Sequence, residues 1–146
     1  MGTVRTVLFT KADRPLAITR PDATVLEATQ VMNAQKIGSL LVMNGDQLVG
    51  IFTERDVLQR VVAEMQSATT TLVRDVMTVD VICCGTSDSI DEVADLMSHR
   101  RIRHVPVMDE NGLVVGLISI GDINAHRVSN YEVALQQVED YMHRRS

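Results

Sequence analysis

Aromatic residues are scarce in this 146-residue chain, which has two phenylalanines, two tyrosines and no tryptophan. A stacking platform for single-stranded nucleic acid has little to be built from. Basic charge is short as well. Fourteen Lys and Arg stand against nineteen Asp and Glu, a formal charge of -5, and only Arg100, Arg101 and Arg103 cluster. Phosphate-backbone binding wants a basic face, so nucleic acid is not an expected partner. No apolar run approaches the roughly 18 residues of a membrane span. The opening stretch MGTVRTVLFTKADRP has no long apolar core or small-residue cleavage site of a signal peptide. A cytoplasmic protein without a membrane partner is expected.

Cysteine is limited to the neighbours Cys83 and Cys84. Adjacent strand residues point to opposite faces, so a bond between these two would be strained. They also lack the C-x-x-C spacing of redox and zinc sites. One buried thiol beside a partly exposed one is the expected arrangement, and a thiol switch ranks last among functions. Catalytic signatures are missing too: no G-x-x-x-x-G-K-[ST], no G-x-G-x-x-G after a strand, no H-E-x-x-H and no G-x-S-x-G. His99, His104, His126 and His143 have no metal-like spacing with other ligands. Neither an enzyme, a catalytic cofactor nor a metal site is expected.

What the chain does contain, it contains twice. Gly50-Ile-Phe-Thr-Glu-Arg-Asp56 and Gly116-Leu-Ile-Ser-Ile-Gly-Asp122 share a glycine, two apolar residues, a hydroxyl and a carboxylate in register. Thr24-Val-Leu-Glu27 and Ser89-Ile-Asp-Glu92 are both S/T-x-x-E boxes that cap a helix start. Met32 and Met97, Ile37 and Ile102, and Val42 and Val107 keep the spacing of those boxes. One extra residue in the second copy's turn then shifts the heptads, as a true repeat allows.

Each copy reads β-α-β-β-α. Short strands are predicted at Leu16–Thr19 and Val81–Cys84, each leading into an amphipathic helix. Paired strands follow at 39–43 with 48–53 and at 104–108 with 113–119, joined by turns of Asn, Asp and Gly. Second helices are predicted at Arg55–Met65 and Asp122–Val128, and Val73–Met77 reads as a helical connector. Apolar residues at 131, 134, 135, 138, 141 and 142 predict a C-terminal amphipathic helix. The fold class is α/β (α+β), with a first domain over 1–70, a second over 71–128 and the final helix over 129–146. A copy of about 60 residues buries little alone, so two copies packed through their sheets share a core.

With these residues in place the chain resembles a tandem pair of CBS domains, the cystathionine β-synthase-type regulatory module. The similarity runs over roughly residues 7–127. It rests on the duplicated order, the two heptads, Asp75-Val-Met77 ahead of the second copy, and Arg101-Ile-Arg-His-Val-Pro-Val107. Because little chain follows the second copy, it looks like the free-standing two-domain members of bacteria and archaea. The resemblance implies two domains related by a pseudo-twofold axis and two clefts for adenosine-containing ligands: AMP, ADP, ATP, NAD(H) or S-adenosylmethionine. It further implies a homodimer of modules signalling to an effector protein. Thr53 with Asp56 and Ser119 with Asp122 are the implied ribose-binding pairs. Arg103 and His104 take the implied phosphate-binding place, joined by Arg101, Lys36 and Arg55. Ile18, Thr19, Ile37, Cys83, Cys84 and Ile102 are the implied adenine pocket.

The chemistry of the heptad suits that role. An ionised carboxylate accepts both hydroxyls of a vicinal diol, and the first turn of a helix favours anions. T-x-x-D and S-x-x-D are equally ordinary helix caps, and capping can coexist with binding. Arg103 and His104 are neighbours in a strand entry, so a regular backbone turns only one of them to a given cleft. Thr86 where the first copy has Pro21, and Leu41 where the second has Pro106, make the clefts unequal. The alternative function is a structural, protein-interaction module with vestigial clefts, working through its C-terminal helix.

Overall fold

Two separate three-stranded sheets, one from each sequence repeat, organise the chain. The computed structural model describes residues 2–11 and 15–145, without the side chains of Arg144 and Arg145. The order is α1 (Val4–Thr10), β1 (Ile18–Thr19), α2 (Val25–Gln35), β2 (Ser39–Asn44), β3 (Gln47–Thr53) and α3 (Glu54–Asp56). The α3 turn runs on as a π-helical stretch over Val57–Val62. Then come α4 (Val73–Val76), β4 (Cys84–Gly85), α5 (Ile90–Arg100), β5 (His104–Met108), β6 (Val114–Ser119) and α6 (Ile120–Arg145).

The sheets repeat one another in detail. β1 runs parallel to β2 and β4 parallel to β5, while β2–β3 and β5–β6 are antiparallel hairpins. Both hairpins slip register at the same place, between Val42 and Met43 and between Val107 and Met108. Thr24 and Ser89 accept from the Glu27 and Glu92 amides at 3.1 and 3.0 Å, so the hydroxyl half of each expected capping box forms. Both helices stop at a basic residue in the left-handed conformation, Lys36 (φ 56°) and Arg101 (φ 55°). That turn sends the chain into the next strand.

β2 and β3 are buried on both faces. Leu40, Val42 and Phe52 join Val25, Ala28 and Met32 in one core, whereas Leu41 and Ile51 are buried on the other side of the sheet. The second core repeats the pattern with Val105, Val107 and Ile118 against Ile90, Val93 and Met97. Two-sided burial is what a sheet needs if it is to be covered by helices on one face and by its twin on the other.

The cores do not follow the expected boundaries at 70 and 71. Val4 and Val7 of α1 are packed into the second repeat's core, and Val73 and Val76 of α4 into the first. The two short helices are a further pair of repeats, Val4-Arg-Thr-Val-Leu8 and Val73-Arg-Asp-Val-Met77. Each lies across a heptad glycine. A Cβ on Gly50 would meet Met77 Sδ at 2.6 Å and the Thr78 carbonyl at 3.0 Å, and one on Gly116 would run into Leu8. The glycines thus make room for a crossing segment.

Other expectations shift. β1 and β4 are shorter than expected, and β4 begins at Cys84 instead of Val81. The predicted helices at Asp122–Val128 and Tyr131–Met142 are one continuous helix, α6, because Ser129 and Asn130 are tolerated inside it. Its 26 residues reach about 39 Å. No described helix is long and apolar enough to cross a membrane.

Candidate functional site

The heptad hydroxyl and carboxylate fall where a strand ends and a helix begins, and both copies close the same reciprocal cap. Asp56 N–H donates to Thr53 Oγ1 at 3.3 Å and Thr53 N–H to Asp56 Oδ2 at 3.0 Å. Asp122 N–H donates to Ser119 Oγ at 3.1 Å and Ser119 N–H to Asp122 Oδ2 at 2.8 Å. Capping is therefore real at both. Beyond the cap, the two carboxylates part company.

Asp56 is only 4% exposed. Its Oδ2 also accepts from Thr53 Oγ1 at 3.2 Å, and its Oδ1 accepts from Thr78 Oγ1 at 3.1 Å. Arg60 Nε stands 3.8 Å from Oδ1. This carboxylate ties α3 to the segment after α4.

Asp122 faces open space. A cleft of about 850 Å³ lies between the repeats, within the range of small-molecule sites. The first repeat contributes Pro15, Leu16 and Ala17 and the turn Gln35–Ser39. From the second come His104, β6 residues including Leu117 and Ser119, and Asp122, while the N-terminal segment adds Leu8 and Lys11. Lys11 Nζ donates to Asp122 Oδ2 and to the Leu117 carbonyl, both at 2.7 Å. Burial alone would raise the Asp122 pKa, but the bonds from Lys11 and the Ser119 amide outweigh it and hold the carboxyl below its ordinary range. Asp122 is thus anionic at neutral pH. Among the described residues none donates to its Oδ1.

Of the residues expected from sequence, the fold brings Ser119, Asp122, Lys36, Ile37 and His104 to this cleft. His104, and not its neighbour Arg103, turns inward, as strand alternation requires. Burial lowers the His104 pKa, with Glu54 and Asp122 opposing that shift. The neutral imidazole offers hydrogen bonds to a ligand, not a charge.

The remaining candidates do not border this cleft. Thr53 and Asp56 are in the buried cap. Arg55 Nη1 donates to the Arg101 carbonyl at 2.9 Å, stapling α3 to the end of α5. Arg101 and Arg103 are exposed, and the Arg103 carbonyl accepts from Ile120 N–H at 2.8 Å. Ile18 is exposed, Thr19 partly so, and Ile102 packs against the second core. Cys83 is exposed and Cys84 buried, the arrangement anticipated. Burial raises the Cys83 pKa; for Cys84, burial, Asp88 and Cys83 push it up to about 12. Neither thiol is poised to react as a thiolate. No cluster of His, Cys, Asp or Glu among the described residues could hold a metal ion.

Sequence reasoning passed over Lys11 and Leu117. Their signal was available only through the Val4–Leu8 repeat, which reveals that residues just after α1 reach the second heptad.

Comparison with known proteins agrees with the duplicated fold. The family described as CBS domain matches residues 4–63 and 73–128. The mitochondrial CBS domain-containing protein CBSX3 of Arabidopsis thaliana is 34% identical over 126 residues, covering 83% of this chain. The chain spans only 61% of that relative's length. A solved structure of a protein with CBS domains from Burkholderia ambifaria superposes with a TM-score of 0.84 at 37% identity, covering 88% of this chain and 95% of that one. A CBS domain protein from Pyrobaculum aerophilum, solved in complex with AMP, gives a TM-score of 0.77 at 26% identity, covering 92% and 99%.

Proposed function

The chain belongs to the CBS domain family, and on that footing we propose that it is a non-catalytic sensor of an adenosine-containing ligand. The ligand is AMP, ADP, ATP, NAD(H) or S-adenosylmethionine, and its site is the Asp122 cleft. One observation carries this reading: an ionised carboxylate with an oxygen open to a cleft of about 850 Å³, seated on a helix start. Such a group grips a ribose diol, which every one of these ligands presents. Lys36 and Lys11 add positive charge and His104 a neutral hydrogen-bonding group, while Ile37, Leu16 and Leu117 offer apolar wall. The AMP complex of the Pyrobaculum protein supports the ligand class. Walls drawn from both repeats let occupancy favour one relative placement of the repeats over another, and that difference in affinity is the signal to an effector protein.

A thermal-unfolding panel of these ligands tests the proposal. At 100 times its dissociation constant the right ligand stabilises by about 2.7 kcal/mol, on the order of 8 °C for a chain this long. Flat melting curves with every ligand at millimolar concentration would rule the sensor out.

The interaction-module alternative draws on α6. Val128, Tyr131, Leu135, Val138 and Met142 recur at alternating steps of three and four and are each more than half exposed. That is the seam of a coiled coil, and we take its occupant to be the same seam of a second copy, giving a homodimer. Light scattering should return twice the chain mass, falling to a single mass with Leu135→Glu. A monomer in the unaltered protein would refute the pairing. Dimerisation and sensing are compatible, whereas dimerisation without any ligand response would favour the interaction module.

A further inference from the structure

Lys11 occupies the group that a ribose needs. Asp122 Oδ2 already accepts two bonds, from Ser119 N–H at 2.8 Å and Lys11 Nζ at 2.7 Å. The oxygen has two lone pairs, and both are used. A vicinal diol that grips both carboxylate oxygens must therefore replace Lys11 at Oδ2. The displaced ammonium stays tethered at the cleft, because Lys11 caps α1 through its own amide to the Leu8 carbonyl at 3.0 Å and α1 is anchored in the second core by Val4 and Val7. A displaced ammonium keeps only its bond to the Leu117 carbonyl. Partly buried at 26% exposure, it then lacks a counter-charge.

Resting on the reading of this cleft as a nucleotide site, we propose that Lys11 is its specificity-determining residue, exchanging Asp122 for a ligand phosphate when the ribose binds. A nucleotide brings a new partner for the ammonium it displaces. An uncharged nucleoside brings none and leaves the lysine unpaired in a half-enclosed site, the more costly state. The cleft thus selects phosphorylated adenosine over adenosine by an ion-pair exchange. The first repeat is arranged differently: Asp56 is buried, its Oδ1 accepts from the neutral Thr78 hydroxyl, and its cation, Arg60, stands farther off at 3.8 Å.

The probes are AMP and adenosine, titrated by calorimetry into the unaltered chain and into Lys11→Met, Lys11→Gln and Lys11→Arg. Unaltered protein should prefer AMP. In Lys11→Met and Lys11→Gln the ratio of affinities should fall at least ~10-fold, adenosine gaining because nothing has to be displaced and AMP losing its counter-charge. Lys11→Arg should retain the preference. Either neutral variant suffices if the other fails to fold, as judged by its melting curve. Equal weakening of both probes would make Lys11 a structural staple and overturn the exchange while leaving the nucleotide site standing. An unchanged ratio does the same. If neither AMP nor adenosine binds the unaltered chain, the exchange falls, and the site falls with it only if the other adenosine-containing ligands also leave the melting curve flat.

Discussion

Asp122→Asn lowers the affinity of the cleft for AMP by about 30-fold while leaving the fold intact. The substitution keeps the shape of the side chain and an oxygen that can still accept from Ser119 N–H, so the cap over β6 and α6 survives. What disappears is the charge. Hydrogen bonds to an ionised acceptor contribute roughly 1.5–3 kcal/mol, against about 1 for neutral pairs. Two ribose hydroxyls that each lose part of that difference account for about 2 kcal/mol, or some 30-fold. The same change releases Lys11 from its ion pair, but with no ligand in the cleft water reaches the freed ammonium, so the cost to stability is small. Calorimetry with AMP and a urea midpoint, measured on the same preparation, separate the two effects. Unchanged AMP affinity with a lowered midpoint would mean that Asp122 only caps its helix.

Much of this site could be read from the heptads, and the limits of that reading are physical. Spacing located Ser119 and Asp122 at a strand-to-helix junction because a hydroxyl and a carboxylate three residues apart close a cap almost by local geometry. The same locality made Thr53–Asp56 look equivalent. The difference between them is tertiary: Thr78 and Arg60 enclose Asp56, whereas Lys11 and an open cleft face Asp122. Periodicity recovered α2 and α5, whose apolar residues answer to one neighbouring layer, and apolar runs bounded by turns of Asn, Asp and Gly recovered the hairpins. It missed the exchange of α1 and α4 between cores, because a two-valine helix is too short to carry a period and its destination lies in the other repeat. It also placed a break near residue 130, where Ser and Asn signal a turn locally but cost a long helix only tenths of a kcal/mol each. Arg55, Arg101 and Arg103 were marked as basic residues at or beside the phosphate place that the resemblance implies. Their guanidinium and carbonyl groups are instead engaged with helix ends or directed to solvent.

Asp56→Ala is the converse experiment, and its expected result is loss of stability by about 3 kcal/mol. The carboxylate is 4% exposed and holds four short contacts: Thr53 N–H, Thr53 Oγ1, Thr78 Oγ1 and, more loosely, Arg60. Removing an N-terminal cap partner costs about 1 kcal/mol. Leaving a buried amide or hydroxyl without an acceptor costs about 1–3 kcal/mol more. For a chain this long the melting temperature should drop on the order of 10 °C. Thr78→Val should lose less, because only one of the bonds goes. The double variant should fall short of the sum of the two, since the Thr78–Asp56 bond can be lost once. Below the variant's melting range AMP should still bind, because the Asp122 cleft shares no contact with Asp56. If Asp56→Ala instead melts like the unaltered chain and loses half of its bound AMP, the first heptad is a ribose site and the buried cap opens to admit the ligand.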